Sequence, residues 1–593
     1  MKKFVSLLLA VCTCLSVGVM ITSCSDENNG TVSSSEESFN SADGGNDSEQ
    51  GNSFVGEEDE KAPNIPPSDG LEFTLSDDEM SYIVTGTGIC IDTDIVIPST
   101  YNNLPVTKIG YGAFEEFTAM TSVVIPDSVL TIGTDAFRKC SSLTSVFLGA
   151  SVVSIEDMAF YKCYKLESIN IPASVKRIGY SAFDECGRLI YSDYEGGKYL
   201  GSNSNPYRVL ISVSDRTRTT YTINENTSIL YADVFAGCEN MVTIALPNSI
   251  VFIGASAFRR CPRLVSVTLG EKLETIGSSA FYYCEELKNI NFPNSLKNIG
   301  NSAFYYCTKL SNVSFGASLE TIGESAFQFC YLLESVTFPL SVKEIGKYAF
   351  NDCTNLKNVE TLNPNTIIGA GFSSCPIETA SVPADIISSI SNKNLISINV
   401  ISGDKIEECA FSCGFGWCEN LRKVTIAESV TTIARNAFQG CINLTNITVD
   451  EKNENYKSID GNLYTKDGKT LIRYAIGKTD TNFSIPTGVT AIAAQAFYNA
   501  KNLINVEIAD TVLSIGDNAF QECSNLESVI IGKSVTEIGS EAFRWCESLI
   551  TFTFNGTINE WKSITKGKYW RNTNNYYYIP AEYVICSDSV IDL

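Results

Sequence analysis

The sequence predicts a repeat solenoid of 23-residue coils, with a parallel β-sheet along its axis. Each coil should add a second short extended segment and a short helical turn. Three observations carry this prediction. First, the phrase Ile-Gly-x-x-Ala-Phe-x-x-Cys-x-x-Leu recurs with a fixed 23-residue period. Its Phe stands at Phe114, Phe137, Phe160 and Phe183, at Phe235, Phe258, Phe281, Phe304, Phe327 and Phe350, and at Phe497, Phe520 and Phe543. Phe372, Phe411 and Phe438 mark looser copies. Second, apolar and polar residues alternate ahead of each phrase. Third, one Cys returns per coil at the same place. A short unit cannot bury its own apolar side chains, so a period of this length means stacked coils that share one core.

The coil from Cys284 to Cys307 shows each element in order. Leu287-x-x-Ile290-x-Phe292 has the period-two alternation of a strand with one buried face. Pro293 ends it, because proline cannot donate to a ladder. Leu296-x-x-Ile299 gives the second extended segment, and Gly300 punctuates the turn. Ser302-Ala303-Phe304-x-x-Cys307 has room for one turn of helix and no more.

The longer phrase Leu-x-x-Val-x-Ile-Pro-x-Ser-Val-x-x-Ile-Gly-x-x-Ala-Phe stands nearly intact at Leu166 to Phe183, Leu333 to Phe350 and Leu526 to Phe543, the last with Gly532 in the Pro position. It resembles the BspA-like leucine-rich repeat family of bacterial surface proteins, over residues 90 to 555. The resemblance implies a leucine-rich repeat solenoid and a role in adhesion or host-protein binding. It leaves the ligand open.

The domain plan follows the repeat. Residues 1–23 read as a lipoprotein signal peptide and 24–70 as a disordered acidic tether. Residues 71–105 hold an N-terminal cap and first strands, 106–555 the solenoid, and 556–593 an aromatic C-terminal cap. Lys2 and Lys3 supply the positive start, and Phe4 to Met20 the apolar stretch, short for a membrane span. Ile21-Thr22-Ser23-Cys24 resembles the bacterial lipobox, so Cys24 is the expected lipidation site and the only tie to a membrane. Residues 25–70 hold twelve acidic residues and one basic, Lys61, with few apolar side chains. Such a segment cannot offset its ordering entropy. Trp561, Trp570 and Tyr576-Tyr577-Tyr578 are the aromatic mass available to close the far end, since terminal coils need a cap.

Composition excludes several chemistries. The net charge is −25, which opposes a nucleic-acid partner. The chain has no histidine, so Ser-His-Asp and Cys-His nucleophiles and His-containing zinc sites are absent. Fourteen of its 21 cysteines occupy the repeat position, from Cys140 to Cys546. A straight file does not converge on a metal as a tetrahedral site must. Phe117 and Ala500 take the place of Cys in two coils, so the file reads as small buried hydrophobes. Cys409 and Cys413 are the one plausible disulfide pair. Asp92-x-Asp94 and Asp460-Gly461 lack the acidic spacing of a calcium loop and read as turns. No cofactor, metal or catalytic residue is expected.

Two stretches interrupt the period, residues 191–222 and residues 449–482. Phe183 and Phe235 stand more than two periods apart, and so do Phe438 and Phe497. Each insertion reads as a hairpin: Lys198 to Gly201 against Tyr207 to Ile211, and Gly461 to Tyr464 against Thr470 to Tyr474, around Asp467-Gly468. They are either tolerated loops or contact sites that project from the coils.

Two sets of outward residues are candidates for recognition. Asn289, Asn291, Asn312 and Ser314 belong to columns of small polar residues that can bond to one another along a sheet. Tyr282, Tyr283, Tyr305, Tyr306, Phe329 and Tyr331 lie just after the repeat Phe in three successive coils. Exposed aromatic clusters mark interaction surfaces, and Arg259, Arg260 and Arg263 lie one coil away. The alternative is that these rings pack on one another to cover the edge of the coils. Function reads as binding or adhesion to an extracellular protein or another cell, by a monomer on the outer cell surface. The other reading is a surface protein that holds polysaccharide for separate enzymes.

Overall fold

The computed structural model describes residues 65–593, except 362, 364, 365, 370, 373, 414, 415 and 572–578. These residues fall in one compact unit of about 20 coils of ~23 residues. The signal segment, Cys24, most of the acidic tether and Tyr576 to Tyr578 lie outside the described residues.

Each coil contributes to two parallel sheets with the core between them. Asn289–Asn291 pairs with Asn312–Ser314, with Asn289 opposite Asn312 and Asn291 opposite Ser314. Ile290 points into the core and its two neighbours point out. The second segment is a two-residue strand, Asn298–Ile299, opposite Thr321–Ile322. Gly300 follows it at a close approach. A Cβ there would lie 2.6 Å from the Ser278 backbone nitrogen of the preceding coil.

The expected helical turn takes another form, and the backbone hydrogen bonds explain why. Ser302, Phe304 and Tyr306 donate to Glu324, Ala326 and Gln328 of the next coil at 2.8, 2.7 and 2.9 Å. The alternate residues Ala303, Tyr305 and Cys307 donate three residues back, to Gly300, Ser302 and Phe304. Half the donors are committed to the neighbouring coil, so an α-helical ladder cannot form. Ser302 and Tyr306 adopt the left-handed region, φ 55° and 61°, and bend the segment between coils. The third side of the coil is therefore a ladder of turns.

The core is a pair of files. Phe281, Phe304, Phe327 and Phe350 stack at 5.0, 5.0 and 5.1 Å between centroids, within 8° of parallel. The file runs from Phe114 to Phe183 before the first interruption and from Tyr474 to Phe543 after the second. Beside it runs the Cys file, buried throughout. Thiols along the file do more than fill space: Cys284, Cys307 and Cys353 donate to the carbonyls of Phe258, Phe281 and Phe327, 26 residues upstream, at 3.1, 3.2 and 3.2 Å.

Both interruptions are built into the wall of coils. In the first, Ser192–Tyr194, Gly197–Leu200 and Val209–Val213 form an antiparallel meander. Its last strand then pairs in parallel with Ile229–Leu230 of the next coil, in the place of a second segment. The second interruption repeats this plan with Tyr456–Ile459, Asn462–Thr465 and Thr470–Arg473, the last in parallel with Ala491–Ile492. Buried arginines tie them in. The guanidinium of Arg208 donates to the Val175 carbonyl at 2.8 Å, and that of Arg473 to the Gln495 carbonyl at 2.9 Å. Burial pulls Arg473 down to about 10, still a cation at neutral pH.

The ends are closed. Glu72–Leu75 and Tyr82–Gly86 form a hairpin, and the latter strand pairs in parallel with Leu104–Ile109. The tether was expected to run to residue 70, yet Ser68 is already buried and bonded to Val96. Asp94, expected in a turn, begins a strand and accepts from Thr121 and Ser122. At the other end a helix, Ile558–Ser563, starts at a capping box of Thr557 and Glu560. It lays Trp561 against Phe554 at 5.4 Å, and Trp570 stands edge-on to Phe543, the last ring of the file.

Candidate interaction surface

The residues at Phe+1 and Phe+2 form two columns along the ladder of turns. Phe and Cys point inward, so these two point outward between them. Their spacing from coil to coil is fixed by the same backbone bonds that stack the Phe rings, such as Tyr283 to the Tyr305 carbonyl at 2.9 Å. The columns therefore align side chains whatever their chemistry.

In three coils that chemistry is aromatic, and all six expected rings come together, each half-buried. Tyr282 stacks on Tyr305 at 4.9 Å and 9°, and Tyr283 on Tyr306 at 4.5 Å and 17°. Tyr282 and Tyr283 stand side by side at 4.7 Å. Phe329 closes the group edge-on, 5.2 Å from Tyr305 and 5.9 Å from Tyr306. Tyr331 stands 6.0 Å from Tyr306. The rings thus pack on one another, as one of the two alternatives left open by the sequence has it, and they remain partly exposed at the surface.

The stacking decides what the group offers. Each of the four tyrosines gives one face to its stacked partner, and the guanidinium of Arg259 lies 5.7 Å from the Tyr282 ring centre. Ring edges and hydroxyls are left for solvent. The hydroxyls of Tyr282, Tyr283 and Tyr305 meet no partner among the described residues. Desolvation raises the Tyr305 and Tyr331 phenols above their ordinary range, so both stay neutral donors at physiological pH.

The other candidates separate from this group. The polar columns on the first strands bond to themselves: Asn312 donates to Asn289 at 3.1 Å and Asn505 to Asn482 at 2.7 Å. Cys409 is a free thiol that accepts from Asn436, and the side chain of Cys413 lies outside the described ones. Among the described residues no three metal-ligand side chains stand together.

One feature was hidden from the sequence. The first interruption brings coils on either side of it together, and Lys176 meets Glu274 at 3.1 Å, 98 residues away. A groove of about 890 Å³ opens there, lined by Asp157, Arg177, Tyr180, Asn298, Thr321 and Lys347 among others. Nothing in a 23-residue period signals a contact across an interruption.

The sequence matches the family described as BspA type Leucine rich repeat region (6 copies), at residues 93–204, 215–332, 274–399, 390–469 and 475–569. No curated protein matches the chain. Among solved structures, a leucine-rich repeat protein from Bacteroides ovatus is 23% identical over 82% of this chain and 98% of its own, with a TM-score of 0.30. A leucine rich cell surface protein from Faecalibacterium prausnitzii is 20% identical over 85% and 98%, with a TM-score of 0.20. A leucine-rich repeat protein from Bacteroides capillosus is 37% identical over 18% of this chain and 83% of its own, with a TM-score of 0.18.

Proposed function

We propose, from the premise that the chain belongs to the BspA-type leucine-rich repeat family, that it is a cell-surface protein that binds extracellular proteins and catalyses nothing. The stacked tyrosine group is the observation that carries the reading. Interfaces draw much of their energy from Tyr and Arg anchored in place. Here the anchors are already ordered by stacking, so little side-chain entropy is left to lose on binding. Leucine-rich repeat solenoids are in the main non-catalytic scaffolds that bind proteins, and the absence of histidine agrees with this.

The tyrosine geometry favours protein over glycan. A sugar ring stacks on an open aromatic face, and each stacked tyrosine has already given one face to its neighbour. Hydroxyls and edges suit the mixed polar and apolar surface of a protein. The surface location and the lipid on Cys24 belong to the same proposal. They rest on the positive start, the apolar stretch and the Thr22-Ser23-Cys24 ending of the N-terminal segment, with the family as support.

An array of extracellular proteins and glycans, probed with the purified chain and with Tyr283→Ser/Tyr306→Ser, tests the reading. A protein partner lost in the variant supports it. A glycan partner, or a protein partner that the variant keeps, overturns it.

A further inference from the structure

We infer that the tyrosine group and the arginines beside it take an acidic polypeptide segment of a partner protein. The inference rests on the reading of the group as a protein-binding surface and adds the charge of what it binds.

The carrying observation is a break in a pattern. Elsewhere along the same two columns, cations are answered by acids one coil away or in the same turn. Arg138 pairs with Glu115 and Asp135, and Lys139 with Glu116 at 2.5 Å. Lys162 faces Glu185 at 3.7 Å, and Arg544 faces Glu541 at 2.8 Å. The coil at Phe258 departs from this. Its Arg259 and Arg260 occupy the same columns, and Arg263 lies two residues past Cys261. All three are exposed, and none makes an ion pair among the described residues. The next coil answers them with Tyr282 and Tyr283 in place of acids. Glu286 there is occupied by Lys309 at 2.7 Å.

This leaves three exposed guanidiniums without an ion pair among the described residues, on a chain whose net charge is −25, and the first of them, Arg259, lies 5.7 Å from the Tyr282 ring centre. Guanidinium forks match carboxylates in two parallel bonds. The phenols add neutral donors, and the ring edges add apolar area. Donors predominate in the set, apart from the carboxylates of Glu285, Glu286 and Asp233 nearby; burial raises the Asp233 carboxyl above its ordinary range, against a smaller lowering by Arg259. A carboxylate-rich peptide satisfies donors of both kinds, and the apolar stems of its side chains cover the edges.

The test is a titration of the full chain with poly-L-glutamate, with sulfated dextran as the second arm. The overall charge of the protein repels both polyanions, so binding at low ionic strength has to come from a local patch. We expect saturable binding of poly-L-glutamate, weakened at least tenfold in Arg259→Gln/Arg260→Gln/Arg263→Gln and by added salt. If the triple variant melts lower than the parent, the single exposed change Arg263→Glu repeats the comparison. No binding of poly-L-glutamate, or binding that the arginine variants leave intact, overturns the inference. Capture of sulfated dextran alone also overturns it, in favour of an anionic glycan. The two readings fail separately. If Tyr283→Ser/Tyr306→Ser loses the array partner and the arginine variant keeps it, the surface stands and its acidic partner falls. If both variants keep the partner, both readings fall.

Discussion

The thiol of Cys307 donates to the carbonyl of Phe281 at 3.2 Å, and the same carbonyl accepts the backbone N–H of Cys284 at 3.2 Å. One acceptor thus joins two coils. The sequence reading of Cys as a small hydrophobe left this bond out, because an apolar file and a donating file look alike in the sequence. Cys307→Ala removes the sulfur and the bond and should cost about 1–2 kcal/mol. Cys307→Ser keeps a donor facing a waiting acceptor, so it should fall within about 1 kcal/mol of Ala. Urea titration of both variants checks this. A Ser variant several kcal/mol below Ala would mean that the hydroxyl is stranded.

The thiol file also sets an alkaline limit. Burial pushes Cys140 up to about 12, and Cys284, Cys330 and Cys546 well above their ordinary value of 9.0. A folded chain then holds these protons at a pH where the unfolded chain has released them. The contribution is whole below about pH 9 and is lost as pH rises through 12, at up to ~1.4 kcal/mol per pH unit for each thiol. Urea midpoints should fall between pH 9 and 11. At pH 9 iodoacetamide should label the half-buried Cys409 and spare Cys140 and Cys284 until urea is added. Labelling of the file in the native protein would defeat the account.

Phe304 sits between Phe281 and Phe327 at 5.0 Å from each. Phe304→Ala opens a cavity that rigid coils on both sides cannot close, and should cost about 3–5 kcal/mol. Because stability in a solenoid is a sum over coils and their neighbours, the loss should appear first as hydrogen exchange in the coils next to residue 304. Uniform loss of protection from end to end would show a single cooperative unit instead.

Gly300→Ala tests how tightly coils approach. Its Cβ would meet Ser278 N at 2.6 Å and the Gly277 carbonyl carbon at 2.7 Å, both backbone atoms with no freedom to swing away. We expect a loss of about 1–3 kcal/mol by denaturant titration. A neutral substitution would show that the stacking distance can relax.

The sequence made the coil legible and left its joints unread. Period and alternation place Ile290, Ile299, Phe304 and Cys307 in the core because each is an inward position of its element. The helical turn failed because Ser302 and Tyr306 adopt left-handed conformations that no glycine announces. Only the inter-coil bonds from Ser302, Phe304 and Tyr306 make those conformations worthwhile. The interruptions were legible as hairpins, Gly197–Leu200 against Val209–Val213 and Asn462–Thr465 against Thr470–Arg473, but their attachment to the coils was not. Val209–Val213 and Thr470–Arg473 read as hairpin arms, and the parallel partners that bring them into the wall, Ile229–Leu230 and Ala491–Ile492, lie in the following coil. The contact of Lys176 with Glu274 depends on that wall and has no local signature. The tyrosine group was legible as an alignment. Its stacking geometry was not.

The double variant Tyr283→Ser/Tyr306→Ser is the sharpest test of the surface. The two rings stack at 4.5 Å, so the change removes one stacked pair, worth about 0.5–1.5 kcal/mol beyond its area. Both rings are half-buried at the edge of the coils, and the Phe and Cys files beneath them remain intact. We therefore expect a small fall in melting temperature and at least a tenfold loss of affinity for the protein partner that the array identifies. The remaining stack of Tyr282 on Tyr305 provides an internal control. Tyr282→Phe/Tyr305→Phe keeps every ring contact and removes two hydroxyls that have no partner within the described chain. It should leave the melting temperature unchanged and weaken binding by a smaller factor. If the Ser variant loses several degrees and keeps its affinity, the rings serve the packing of coils alone. If the Phe variant binds as well as the parent, the hydroxyls contribute nothing to recognition and the ring edges carry it.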